Sequence, residues 1–213
     1  MADNLSQVEA LIAAYPALEP CRGAIEQAAR ALIAGFKAGG KLLLCGNGGS
    51  CADCDHIAGE LVKGFLRKRP LAAALREAIE RALPGEGRAM AEALQGGLPA
   101  ISLAAHPALL TAFANDVNPE YAFAQQVLAY GRKGDMLLGI STSGNARNVA
   151  AAAAAARAAG IATIGLTGAS GGRLRGLVDI AICVPARETM RIQELHLPVY
   201  HALCAEVEEA LFP

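Results

Sequence analysis

Two short stretches rich in glycine and hydroxyl side chains carry the chemistry that this chain's residue types and spacing allow. The first is Cys45-Gly46-Asn47-Gly48-Gly49-Ser50, after the strand-like run Lys41-Leu42-Leu43-Leu44. The second is Ser141-Thr142-Ser143-Gly144-Asn145, after Met136-Leu137-Leu138-Gly139-Ile140. Both lead straight into helix-like sequence. A strand that ends in a tight Gly/Ser/Thr turn and opens a helix makes an anion site. The first N–H groups of the helix lack intrahelical acceptors, the helix dipole adds positive potential, and nearby hydroxyls aim at the same point. Two such turns in one short domain predict a phosphorylated small molecule held between them.

The elements that must position these turns alternate along the chain. Residues Leu5 to Phe36 read as helix interrupted near Pro16 and Pro20, with Ala24, Ile25, Ala28, Leu32 and Ile33 at helical spacing and Gly39-Gly40 as the stop. Strand one is Lys41–Cys45, and Ser50 is expected to cap a helix running to about Phe65. Residues 66–98, rich in Ala, Arg and Glu and broken at Pro84-Gly85, read as a helical hairpin. Strand two is Pro99–Leu103, followed by a helix from Pro119 to Tyr130. Strand three is Met136–Ile140 and is followed by a helix from Ala146 to Ala159. Strands four and five are Ile161–Leu166 and Asp179–Val184, and a last helix runs from about Thr189 to Leu211. Strands alternating with helices predict a parallel sheet covered on both faces, within one domain. With strand order 2-1-3-4-5, strands one and three meet at the topological switch point, where ligands bind beyond the carboxyl ends of the strands. The two turns end those two strands.

Composition narrows the function classes. The chain has 213 residues, of which 54% are hydrophobic and only 4% aromatic, with no Trp, so the core must be built from Ala, Leu, Ile and Val. A net charge of -1 gives no general attraction to nucleic acid or an anionic membrane. The absence of a basic-then-apolar leader and of an apolar run of about 20 residues predicts a cytoplasmic protein with no membrane span. Cys45, Cys51, Cys54 and His56 sit close together in sequence, but no second paired-cysteine segment closes a tetrahedral site. The six cysteines are read as reduced, mostly buried thiols. Arg67-Lys68-Arg69 reads as a solvated rim, and the Ala150–Ala156 run as ordinary helix.

Several of these residues, taken in order, resemble the sugar isomerase (SIS) domain and, within it, the phosphoheptose isomerases. They are Gly46-Asn47-Gly48-Gly49-Ser50 with Asp53 and His56, then Ser141-Thr142-Ser143-Gly144-Asn145 and Leu166-Thr167-Gly168. Arg191-Ile192-Gln193-Glu194 with His196 and His201 completes the set. The resemblance covers nearly the whole chain. It implies a three-layer αβα sandwich with a five-stranded parallel sheet, and a homotetramer with active sites at subunit boundaries. The N-terminal helices (1–40) would serve oligomerisation. Their apolar face, Ala24, Ile25, Ala28, Leu32 and Ile33, is expected to pack on other subunits. By position, Asn47, Gly48, Gly49, Asn115 and Asp116 would hold the sugar phosphate. Ser141, Thr142, Ser143 and Gln193 would join them, with Ser50 in the first turn. Glu60 and His201 would carry the acid–base work, Glu60 also touching substrate. His56, Glu60, Gln193 and His201 match the zinc ligands of some members. Two positions depart from the family: Ala146 stands where a serine is frequent, and residues 66–98 exceed the usual compact connection.

The implied reaction interconverts sedoheptulose 7-phosphate and D-glycero-D-manno-heptose 7-phosphate through a cis-enediol. It needs one base that takes and returns the proton between C1 and C2, and a second group that moves charge between O1 and O2. His56 and Glu60, four residues apart, share one helix face. The alternative for Glu60 is a solvated carboxylate paired with Lys63 or Lys68, and for His201 a hydrogen-bonded core histidine. His196 reads as packing or a supporting partner. Gln193 and His201 are eight residues, roughly 12 Å, apart on a helix. One zinc ion between them would require leaning side chains or ligands from two subunits. The competing function is a non-catalytic SIS protein that binds a sugar phosphate or a protein partner such as a replication initiator.

Overall fold

The computed structural model describes residues 5–213; the first four residues of the N-terminal segment lie outside the described part. Helix α1 (Ser6–Ala14), a 3-10 turn (Pro16–Cys21) and α2 (Arg22–Lys37) precede the sheet. The sheet strands are β1 (Leu42–Cys45), β2 (Ala100–Ser102), β3 (Met136–Ser141), β4 (Ala162–Thr167) and β5 (Ile180–Cys183). Between them lie α3 (Gly49–Val62), α4 (Ala73–Ala82), α5 (Gly87–Ala93), α6 (Pro107–Asp116), α7 (Ala122–Tyr130) and α8 (Arg147–Ala158), and α9 (Thr189–Leu211) closes the chain. The sheet order is β2-β1-β3-β4-β5, all parallel, as expected. The connection crosses from β2 over β1 to β3, so the crevice lies at the carboxyl ends of β1 and β3.

Strand periodicity builds the layers. Leu42 and Leu44 of β1 point into one core with Leu138, Ile140, Ile164 and α1, α2, α3 and α9. Leu43 and Cys45 point the other way, into a second core with Leu137, α7 and α8. Side chains alternate across a strand, so one apolar run feeds both cores, and β1 and β3 at the centre of the sheet are buried end to end. The Ala-rich stretch of α8 supplies the small residues Ala152, Ala153 and Ala156, which let that helix lie close against the sheet.

The structure corrects the oligomerisation argument drawn from α2. Ile25, Ala28, Leu32 and Phe36 are buried within this chain against α9 and the sheet. Each large side chain among them contributes about 1.5–3 kcal/mol by leaving water. Most of that face is therefore spent on the chain's own core, while Ala24 and Ile33 of it stay half-buried. The helix ends as read: Gly39 takes φ +81° and the Gly40 N–H donates to the Gly35 carbonyl at 2.9 Å.

Residues 66–98 form the helical hairpin α4–α5, and α4 buries none of its side chains. Helix α6 was not anticipated, since residues 104–118 carry no strong periodicity. Arg69 is not on a solvated rim. Its side chain is fully buried and its Nε donates to Glu208 Oε1 at 2.7 Å. The same guanidinium donates to the carbonyls of Leu61 at 2.6 Å and Glu60 at 3.2 Å, the open end of α3. Glu208 in turn accepts from the N–H groups of Phe65, Leu66 and Arg67. One ion pair thus ties the end of α3 and its following loop to α9. All six cysteines are free, and burial pushes the Cys45 thiol up to about 12, so it stays protonated.

Candidate active site

The first turn runs from β1 into α3. Gly48 adopts φ +56°, a conformation a side chain would strain, and α3 starts at the next residue. The cap position is Gly48 rather than Ser50, which is buried inside the first helical turn. Gly49 lies close against the Gln193 side-chain amide, so a β-carbon there would displace that amide. The predicted partners Gln193 and Gly49 are therefore brought together, α9 against the start of α3.

The second turn runs from β3 to α8. Ser141 is buried at the strand end, Thr142 half-buried and Ser143 exposed, with Ser143 Oγ accepting from the Asn145 N–H at 3.1 Å. Gly144, at φ +68°, lies against the Gly171 carbonyl, where no side chain would fit. Asn145 Oδ1 accepts from the Arg173 N–H at 3.1 Å, so the loop after β4 braces the turn. A cavity of about 230 Å³ opens beside it, lined by Thr142, Ser143, Asn145, Gly168, Ser170 and Arg187.

The two turns are joined directly. Asn47 Nδ2 donates to Asn148 Oδ1 at 2.9 Å, and Asn148 Nδ2 donates to Asn47 Oδ1 at 2.8 Å. This reciprocal amide pair ties the first turn to the start of α8. Asn148 was missed in the sequence. Its signal is a short amide one helical turn beyond the hydroxyl run. Arg187 was missed as well, because an isolated arginine before a helix has no pattern. Asn115 and Asp116 sit exposed at the end of α6, where Asn115 Nδ2 donates to Asp116 Oδ1 at 2.8 Å. No hydrogen bond among the described residues links them to either turn.

A second cluster forms farther along α3 and α9. His56 Nε2 lies 3.1 Å from Glu60 Oε1 and 3.5 Å from His201 Nε2. The other Glu60 oxygen accepts from Lys63 Nζ at 3.1 Å, so the expected pairing with lysine and the expected pairing with histidine coexist. His56 Nδ1 meets the Tyr200 hydroxyl at 2.9 Å, and that hydroxyl donates to Asp53 Oδ1 at 3.3 Å. Tyr200 was not singled out in the sequence, although a buried phenol in an apolar stripe needs a polar partner. Burial, together with the neighbouring His56, holds the His201 imidazole below its ordinary value against the opposing pull of Glu60. His196, fully buried, is pushed by burial down to about 4 and is a neutral packing residue.

These contacts place Gln193 away from the histidines. It touches Gly49, seven residues or roughly 10 Å of helix from His56. Among the described residues no group of three or more His, Cys, Asp or Glu side chains is arranged to hold a metal ion. The four donors His56, Glu60, Gln193 and His201 thus do not fit one zinc ion within a single chain, and no step below runs through it.

The arrangement places two glycine/hydroxyl turns, at the starts of α3 and α8, beside a carboxylate–imidazole cluster on α3 and α9. The SIS domain profile matches residues 7–83 and 86–168. The chain is 47% identical over 184 residues to the phosphoheptose isomerase of Roseiflexus sp. (strain RS-1), covering 86% of this chain and 80% of that protein. It is 43% identical over 188 residues to that of Aneurinibacillus thermoaerophilus, covering 88% and 82%. The solved phosphoheptose isomerase from Neisseria gonorrhoeae superposes with a TM-score of 0.74 at 33% identity, over 94% of each chain. On this fold, these motifs and these likenesses, the chain belongs to the phosphoheptose isomerase family of SIS-domain proteins.

Proposed function

We propose that this protein interconverts sedoheptulose 7-phosphate and D-glycero-D-manno-heptose 7-phosphate by proton transfer through a cis-enediol. The observation that carries the reading is the meeting of Glu60 with His56 and His201 on the two helices whose leading ends meet at the phosphate cradle. Bound at the cradle of Asn47–Ser50 and Ser141–Ser143, an extended seven-carbon sugar phosphate runs along α3 towards Glu60. Asn115 and Asp116 belong to this proposal only as contacts to the sugar's exposed flank.

In the ketose-to-aldose direction Glu60 takes the proton from C1 and returns it to C2. His201 gives a proton to O2 as the carbonyl bond opens and recovers one from O1. A neutral imidazole suits this shuttle because it donates from one nitrogen and accepts at the other. The lowered His201 value keeps it neutral near pH 7.

The proposal includes a homotetramer with sites at subunit boundaries. Its support is the apolar surface left beside the cluster, where Val62 is 53%, Leu66 64% and Leu197 42% exposed. Zinc forms no part of the proposal, because His56, Glu60, Gln193 and His201 do not meet on one ion within this chain. No helix among the described residues is long and apolar enough to cross a membrane, and free thiols suit the cytoplasm we propose.

Turnover of sedoheptulose 7-phosphate by the purified protein tests the function. Glu60→Gln keeps shape but cannot accept the proton, so turnover is expected to fall by at least about two orders of magnitude with substrate binding retained. Wild-type protein that binds the sugar phosphate without turning it over would favour the sensor or protein-contact reading.

A further inference from the structure

We infer that Arg69 is a positioning residue for Glu60: its buried guanidinium clamps the last turn of α3 and so fixes where the Glu60 carboxylate points. The inference rests on the proposed role of Glu60 as base, and its geometry involves neither the cradle nor the substrate. Both hydrogen-bond partners of the carboxylate lie on its own helix end, His56 at 3.1 Å and Lys63 at 3.1 Å. Lys63 is the residue at which α3 stops, and its side chain is 60% exposed. No side chain from another element hydrogen-bonds the carboxylate among the described residues. Its aim is therefore set by the backbone of that last turn.

The last turn of a helix leaves its carbonyls without intrahelical donors, and it frays unless something caps them. Many helices meet this need with a glycine in the left-handed region just past the end. Helix α3 has no such glycine: Lys63 is extended at φ -120°, and neither Gly59 nor Gly64 has a positive φ. Arg69 supplies the missing donors. Its Nη1 donates to the Leu61 carbonyl at 2.6 Å, and its Nη2 to the Glu60 carbonyl at 3.2 Å. The cation also stands at the negative end of the helix dipole, where positive charge is favoured.

The clamp is itself held in place. Arg69 Nε donates to Glu208 Oε1 at 2.7 Å, and the guanidinium carbon lies 4.7 Å from the centroid of the Phe212 ring. The Arg69 carbonyl accepts from the Gly96 N–H at 2.6 Å, so the backbone behind the side chain is tied as well. Three nitrogens of one rigid plane thus reach three acceptors, one on α9 and two on α3. A lysine carries a single nitrogen on a flexible stem and does not reproduce that fork.

Arg69→Lys keeps the charge beside Glu208 and removes the fork, and Glu208→Gln is its control. The glutamine abolishes the ion pair and turns an NH2 group towards the Leu66 and Arg67 N–H groups, while Arg69 keeps both carbonyls. Native-state amide exchange along α3 and steady-state turnover of sedoheptulose 7-phosphate are measured well below both unfolding midpoints. In Arg69→Lys the Leu61–Lys63 amides should exchange at least about tenfold faster than in the wild type, with the earlier turns of α3 unchanged. There kcat should fall about tenfold because the carboxylate loses its alignment, and KM should stay within about twofold because the cradle is intact. Glu208→Gln should lower the unfolding midpoint yet leave those amides and kcat within about twofold of wild type. Exchange that rises equally along all of α3 in Arg69→Lys, an unchanged kcat there, or an equal kcat loss in Glu208→Gln would overturn the inference. A wild type without heptose-phosphate turnover, but with faster exchange confined to the last turn in Arg69→Lys, would remove the functional reading and leave the clamp standing.

Discussion

Glu60 has a partner on each carboxylate oxygen, His56 on one and Lys63 on the other, and this decides what a residue-level experiment can show. His201 is held low mainly by burial, so its imidazolium forms only below the usual range near 6.5. Since the shuttle needs the neutral ring, the acid limb of kcat/KM is expected below pH 6.5, and His201→Gln should abolish that limb along with most activity; a limb at or above pH 6.5 would contradict the assignment. Asn148 works at the other end of the site. Asn148→Ala breaks both amide bonds to Asn47, which lie exposed, where water replaces them at little cost in stability. The KM for phosphorylated sugar should rise about threefold to tenfold while the unfolding midpoint hardly moves. Replacing both Ser141 and Ser143 by Ala should weaken the same binding, measured by calorimetry, with the fold retained.

At the scale of elements, α3 and α9 are the pair that matters. They start together where Gln193 meets Gly49 and are tied again at the far end by the buried Arg69–Glu208 pair. Burial alone would push Glu208 up, but the Phe65 and Leu66 N–H groups and the Arg69 guanidinium outweigh it and hold the carboxyl below 4.5. A depressed carboxylate gives stability that is present above its unfolded value and lost as pH falls through its folded one. Arg69→Met leaves that carboxylate buried without its cation and is expected to cost about 3–5 kcal/mol in urea unfolding. A loss under 1 kcal/mol would show that the clasp contributes little. Helix α4 of the hairpin buries none of its side chains, but the returning end of the hairpin rests on this clasp, with the Gly96 N–H donating to the Arg69 carbonyl at 2.6 Å.

For the whole molecule, His196 offers a stability test independent of catalysis. Its folded value near 4 lies below its ordinary 6.5, so the unfolded chain binds the extra proton first, and stability should fall between pH 6.5 and 4 by up to about 3 kcal/mol. In His196→Leu that part of the slope should vanish. Light scattering at micromolar concentration is expected to give the mass of a tetramer, and a monomer would remove the shared-site part of the proposal. The strands, their alternation with helices and the two turns were legible in the chain, because they depend on local patterns: apolar runs that feed both faces of a sheet, and glycines where φ must be positive or backbones approach. Glu60, His56 and His201 were legible as types on helix faces. Their meeting was not, since it depends on how α9 lies along α3. The covering of most of α2's apolar face by the chain itself, the burial of Arg69, the partners Asn148 and Tyr200, and the distance of Gln193 from the histidines were decided only by tertiary structure. Each involves residues far apart in sequence whose contact depends on helix placement, and spacing along one chain carries no information about that.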